Sequence, residues 1–414
     1  MNQTLITNEH LKRKNNYLVL ASLLFALSVI ITFYGTITDR DSASFSVIIF
    51  TLIFLILVLR NSKSLPLSIC IFLSINYLIK VIYAYIMNLS IISPFPDSFA
   101  YIKELDNIMR LESIDFISVS HIVGSLHIGY HYLMLITYKL FGTRISLYLI
   151  NILLFSISAI LFYKVVLLDF GKRIAYITSC AVLFSTNMFM FTSHILKDSL
   201  VLFLTMLIIY LYKTKPIKRA AILILPCLVL LVMTRIYTGF SIFTALMIDI
   251  LILNWRNFHL LTRVAAISLL TITVSFFIQS AFYSKYIDIS LSFASKFDIF
   301  NVLSSFPIAI FKIIFSPLPW NMFNNSSEYN ILVVDSTFFM IASIGVVLFI
   351  IKYISDRNLR TKMSFYLIPL FIHALVLGLE YDGNSTRQRI AVFFFIILMF
   401  FVGFFYKKVE KKRS

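Results

Sequence analysis

The sequence predicts an all-α, polytopic helical membrane protein with about 12 transmembrane helices. Three observations lead there. Apolar runs of roughly 20 residues recur along the chain, each long enough to cross a hydrocarbon core of about 30 Å as a helix. The 414 residues are 60% hydrophobic and 13% charged, whereas a soluble domain of that length would alternate polar and apolar faces. The basic residues gather in short clusters between the runs, as they do in cytoplasmic loops of membrane proteins.

Taken in order, the runs place spans near 17–34, 44–60, 66–91, 146–167, 174–192, 199–212, 220–234, 237–254, 264–282, 331–351, 363–379 and 390–406. With the N-terminus inside, every basic cluster falls in the cytoplasm. These clusters are Lys12-Arg13-Lys14, Arg60 with Lys63, Lys172-Arg173, Lys213 to Arg219, Arg256 with Arg263, Lys352 to Lys362, and the tail from Lys407 to Arg413. The outer face then receives two large loops, 92–145 and 283–330, and both termini are cytoplasmic. No linker or repeat divides the chain, so residues 1–414 read as a single integral membrane domain. Its N-terminus is not a cleaved signal peptide, because the first apolar run is too long and no small-residue cleavage site follows.

The stretch from His127 to Gly142 is apolar enough to pass for one more span. Counting it would send Lys213–Arg219 and the basic tail outside, against the charge rule. It also carries two histidines, three tyrosines and a lysine. It is therefore expected to lie as an amphipathic helix at the outer interface, as is 299–316.

A formal net charge of +17 does not imply nucleic acid here, because the charge is spread over inter-span turns where it meets anionic lipid. The three cysteines, Cys70, Cys180 and Cys227, sit inside apolar runs without metal-type spacing and imply neither a disulfide framework nor a metal site.

A few polar residues stand out against this background. Asp97 lies in Pro94-Phe95-Pro96-Asp97-Ser98-Phe99-Ala100-Tyr101, just after the third span. The prolines stop the helix and hold the carboxylate near the interface. Asp97 reads either as a catalytic acid–base group or as the N-cap of a helix from Ser98 to Arg110. Lys197-Asp198 follows the fifth span and reads as a substrate contact or as a cap with a snorkelling lysine. Arg235 occupies a tight hairpin and points into a polar cavity or snorkels. Arg387 and Arg389 stand outside, against the general charge bias. Guanidinium forks match phosphate oxygens, although pairing with Glu380 and Asp382 or headgroup contact also fits. Tyr101 and His127 are candidate contacts for a sugar or headgroup. His127 and His131 share a helix face at i, i+4, but no third ligand accompanies them, so a metal is not expected. Lys80 lies well inside the third span and calls for a carboxylate or lipid-phosphate partner.

This layout resembles the GT-C-fold glycosyltransferases, membrane enzymes that take sugars from polyprenyl-phosphate or polyprenyl-diphosphate carriers. The residues that carry it are Asp97 in a long first outer loop, a helix ending in Lys139-Leu140-Phe141-Gly142, and a span. A basic turn at Gly171-Lys172-Arg173, another span and the second acidic position Lys197-Asp198 complete it. The likeness covers roughly 66–215. Ser316-Pro317-Leu318-Pro319-Trp320 and the outer run Gly383 to Arg389 look more like the O-antigen and surface-polysaccharide polymerase-like proteins. Departures are the lack of Asp-x-Asp at position 97, Ala391 where relatives often have proline, and additional spans before the first acidic loop.

The resemblance implies sugar transfer at the outer face of a bacterial inner membrane, from a polyprenyl-(di)phosphate-linked sugar, with other polysaccharide-assembly proteins as possible partners and no metal cofactor. Asp97 would take the acceptor hydroxyl's proton, being ionised at neutral pH, and Arg387, Arg389 and Arg235 would stabilise the departing phosphate. A polysaccharide flippase and a non-catalytic membrane scaffold are the alternatives.

Overall fold

The computed structural model describes residues 41–90, 95–123, 128–254, 343–380, 387 and 389–407, with short helical pieces between 307 and 340. The predicted spans 17–34 and 264–282, His127, both termini and most of the 283–330 loop lie outside the described residues. Every described element is a helix, as the chain's composition requires. In hydrocarbon each backbone N–H and C=O must find its partner within the segment.

The described chain forms two compact units, Met1–Thr234 and Arg235–Ser414. In the first, α1 (Asp41–Asn61), α2 (Leu67–Ser90), α6 (Ile145–Phe170) and α10 (Ile217–Thr234) are long and apolar enough to cross a membrane. A fifth candidate is the bent pair α7 (Lys172–Phe184) and α8 (Thr186–Thr192), so the protein is membrane-embedded. Between these run α3 (Pro96–Met109), α4 (Phe116–Val123), α5 (Ile128–Phe141) and α9 (Asp198–Thr214). Helix α6 is the axis of the unit. Its span is 89% buried, whereas that of α10 is 22% buried and leaves Ile222, Leu225 and Val229 to face lipid.

The sequence reads 174–192 as one continuous span, and here the structure corrects it. The chain breaks at Ser185 and turns by 58° into α8. Ser185 is extended (φ −65°, ψ 126°) and its Oγ accepts the Met188 amide at 3.1 Å, so it is the N-cap of a second helix. Two glycines shape other ends. Gly142 closes α5 at φ 68° and Gly171 closes α6 at φ 84°, the left-handed region that lacks a Cβ penalty only for glycine.

The two ends of this unit differ. Lys164 Nζ donates to Asn61 Oδ1 at 2.5 Å, and Lys213 pairs with Asp169 at 3.3 Å. The C-termini of α1, α6 and α9 and the starts of α7 and α10 therefore meet at one end, carrying Arg60, Lys63, Lys172, Arg173, Lys215, Lys218 and Arg219. At the other end Ser46 bonds Thr143 at 3.0 Å and Asn151 bonds Tyr130 at 2.9 Å. Helix α5 belongs wholly to that end. Its Gly129 packs against Leu230 and Thr234 at the close of α10, and its Phe141 ring lies 4.9 Å from Phe50 in the first half of α1.

The second unit contains α11 (Ile236–Asn254), α12 (Ser343–Ser355), α13 (Arg357–Glu380) and α14 (Ile390–Phe405). His373 Nδ1–H donates to the Pro369 carbonyl at 2.9 Å, which leaves Nε2 to accept from Thr238 Oγ1 at 3.1 Å. Tyr366 meets Phe395 at 5.7 Å. Lys352 Nζ donates to the Gly403 and Tyr406 carbonyls at 2.6 and 2.9 Å, clamping α12 to α14.

Candidate functional site

In the first unit the predicted residues collect at the end opposite the basic clusters. Helix α3 begins at Pro96, which suits a first helical position because its missing N–H is not needed there. Its N-cap is Phe95, with no side-chain cap bond. Asp97 is therefore not the N-cap. It stands exposed in the first turn, where the helix dipole favours a carboxylate. Tyr101, one turn on, is buried with its ring 5.2 Å from Tyr130 and 5.3 Å from His131. His131 Nε2 meets Glu104 Oε2 at 2.8 Å.

The α8–α9 turn brings the second acidic position to the same end. Lys197 is the N-cap of α9 but makes no side-chain cap bond, and Asp198 opens the helix from a fully buried position. The turn is held from three sides. Asn151 Nδ2 on α6 donates to the carbonyls of His194 (2.7 Å) and Leu196 (3.0 Å) and to Tyr130 Oη (2.9 Å). Tyr83 on α2 bonds His194 Nε2 at 3.0 Å. Phe95 packs across the His194 ring at 4.9 Å. Burial pushes the His194 imidazole down to about 4, so it is neutral at physiological pH.

Among the described residues Lys80 meets a hydroxyl, a carbonyl and a ring rather than a carboxylate. It is fully buried, donates to Thr192 Oγ1 at 2.5 Å and to the Met188 carbonyl at 3.5 Å, and sits 3.4 Å over the Phe155 ring. The last turn of a helix leaves carbonyls without intrahelical donors, and a cation there is favoured by the dipole. Lys80 therefore ties α2 to the end of the half-helix α8 through Thr192 and supports the turn that follows it.

The three arginines all belong to the second unit. Arg235 is 3% exposed, its carbonyl accepts the Thr238 and Gly239 amides at the start of α11, and its guanidinium lies 5.6 Å from the Tyr237 ring. Arg389 is the N-cap residue of α14 and is 1% exposed. Its Nη1 donates to the Ile314 carbonyl at 3.0 Å and its guanidinium lies 5.4 Å from the Phe393 ring. Burial pushes Arg389 down to about 10, opposed by the Asp335 charge, and it remains a cation at neutral pH. Arg387 is half-buried. His373 on α13 meets Thr238 and the Tyr237 ring at the start of α11, next to Arg235. Asp97, Tyr101, Lys197 and Asp198 belong to the first unit and the arginines to the second.

The sequence reading missed the polar residues that hold the α8–α9 turn, namely His194, Asn151 and Tyr83. One signal was present, since His194-Ile-Leu-Lys-Asp-Ser199 is a polar island between apolar runs. Asn151 carries none, being one amide in a 26-residue apolar helix. Among the described residues no group of three or more His, Cys, Asp or Glu is placed to hold a metal ion. No family model, curated protein or solved structure matches this chain.

Proposed function

We propose that the chain transfers sugar from a polyprenyl-(di)phosphate carrier at the outer face of a bacterial inner membrane, in surface-polysaccharide assembly, on a GT-C-like frame of about 12 spans. The observation that carries the reading is the polarity of the first unit. Asp97, Tyr101, Lys197 and Asp198 gather at the end opposite Arg60, Lys172, Lys215 and Arg219. Basic ends stay in the cytoplasm, so the acidic end faces out. In the transfer, the acceptor oxygen bonds the anomeric carbon and its proton passes to Asp97. The anomeric C–O bond to phosphate breaks with its electron pair on the leaving oxygen. Cationic side chains then balance the charge on the departing phosphate. Asp97→Asn keeps size and hydrogen bonding but removes the base, and should lower transfer by about 10²–10⁴. Lipid-linked precursor should then accumulate on the outer leaflet. Wild-type glycan in an equally expressed Asp97→Asn strain sinks the mechanism.

One observation favours a second reading, a polysaccharide flippase. Transporters place buried charges where helices break, and the 58° break of α7–α8 leads directly to buried Lys197 and Asp198. Precursor held on the cytoplasmic leaflet in the Asp97→Asn strain would decide for it.

A further inference from the structure

We infer that the end of the first unit encloses a binding site for the hydroxyls of a sugar, formed by Ser98, Asn151, His194 and Ser199. The inference rests on the reading above that the ligand is a lipid-linked glycan, and names where its sugar is held.

A closed ring of contacts defines the place. The His194 ring packs on Phe95 at 4.9 Å, and Phe95 precedes the first turn of α3 that carries Ser98. One turn further, Tyr101 meets Tyr130 at 5.2 Å, Tyr130 bonds Asn151 at 2.9 Å, and Asn151 returns to the His194 carbonyl at 2.7 Å. Ser199 lies in the turn of α9 that this same loop leads into.

Four polar atoms on this ring have no hydrogen-bond partner among the described residues: Ser98 Oγ, Asn151 Oδ1, His194 Nδ1 and Ser199 Oγ. All four residues are 0% exposed. Each orphan leaves a desolvated polar group unrepaid, and native interiors hold few of them. Elsewhere in this unit Ser146, Ser156 and Ser158 repay their burial on preceding carbonyls at 2.6–2.8 Å, whereas the hydroxyls of Ser74, Ser179 and Thr205 are single unrepaid groups on separate helices. Four unrepaid groups on one ring therefore point to a ligand.

The chemistry selects its class. Asn151 spends its N–H donors on Tyr130 and two carbonyls, so Oδ1 offers an acceptor. The serines donate and accept, and His194 offers one nitrogen of a neutral ring whose other nitrogen is held by Tyr83. Lys197 and Asp198 beside them contribute one charge of each sign. That set suits uncharged groups that both donate and accept, which are hydroxyls, and gives no excess positive charge to a phosphate. The edges of Tyr83, Phe95 and Tyr148 around His194 add the apolar walls that the C–H faces of a sugar ring require.

The test uses the full chain in nanodiscs with Cys70, Cys180 and Cys227 replaced by alanine. Ser199→Cys is treated with methyl methanethiosulfonate beside the exposed control Phe99→Cys. The probes are the lipid-linked oligosaccharide fraction of the host membranes and the same fraction stripped of sugar. We expect Ser199→Cys to react, and the sugar-bearing fraction at ten times its Kd to slow it about tenfold, while the stripped carrier leaves it unchanged. No reaction at all would mean a dry core. Equal protection by the stripped carrier would mean a lipid or phosphate site, and protection by neither would mean water only. Each of these three overturns the inference. Should the variant fail to fold, carbethoxylation of His194 in the wild-type protein, read by peptide mass, replaces it with the same expected protection. Protection in a protein whose Asp97→Asn form still makes normal glycan keeps this site and removes the transferase. A dead Asp97→Asn form without protection does the reverse.

Discussion

Lys80 illustrates how a single buried cation changes meaning once its surroundings are known. On paper an ammonium in mid-span demands an anion. In the fold it meets the hydroxyl of Thr192, the carbonyl of Met188 and the face of Phe155, a set that spreads the charge. Lys80→Ala should empty this niche and release α8 from α2, destabilising the protein by about 2–5 kcal/mol. Lys80→Gln, which keeps a donor, should lose less. Unfolding midpoints in detergent measure both, and an unchanged Lys80→Ala midpoint would remove the tying role. Arg389 calls for a different substitution. Arg389→Lys preserves charge but loses the planar fork, so donor handling should suffer while expression does not, as measured by transfer rate against donor concentration.

Helix pairs carry the next set of consequences. Helices α12 and α14 cross backbone to backbone, because a Cβ at Gly403 would run into the carbonyl oxygen of Gly345. Small residues allow that approach, and the Lys352 clamp depends on it. Gly403→Ala should force the pair apart and cost about 1–3 kcal/mol, read as a lower melting temperature. Helix α4 shows the opposite kind of control, a terminus governed by charge. The Ser118 amide, followed by the Ser113 and Ser118 hydroxyls, holds the Asp115 carboxyl below its ordinary range. A depressed carboxylate stabilises at pH values above its unfolded value, and that contribution is lost as pH falls through the folded value. Protection of the Ser118 amide from exchange should thus persist at neutral pH and weaken in acid. In Asp115→Asn the pH dependence should disappear, and an unchanged acid response there would exclude Asp115 as its source.

For the first unit in its bilayer, the separation of basic and acidic ends makes a topological prediction. Cysteines placed at Lys172 or Lys215 should be labelled from the cytoplasmic side, and one at Lys103 in α3 from the opposite side. Labelling of Lys103→Cys and Lys215→Cys from the same side would break the polarity on which the proposed chemistry depends. The position of α5 is part of the same argument. Both its ends lie at the acidic end of the unit, so it adds no crossing between Thr143 and the spans before it.

The helical class and the limits of four of the twelve spans were legible in the sequence. The runs read at 44–60, 66–91, 146–167 and 220–234 correspond to α1, α2, α6 and α10 within a few residues. Span length is a local property, set by bilayer thickness against the rise per residue, and needs no knowledge of neighbours. The break at Ser185 was half legible, since a serine cap followed by Thr186 is a helix start that the hydrophobic run concealed. The candidate site divides the same way. Asp97, Lys197 and Asp198 announced themselves as charges beside apolar runs, whereas the roles of Asn151, His194 and Lys80 did not. Asn151 reaches the His194 carbonyl across 43 positions, and Lys80 reaches Thr192 across 112. Which buried polar group satisfies which other depends on the faces that packing brings together, and only the tertiary structure decides that.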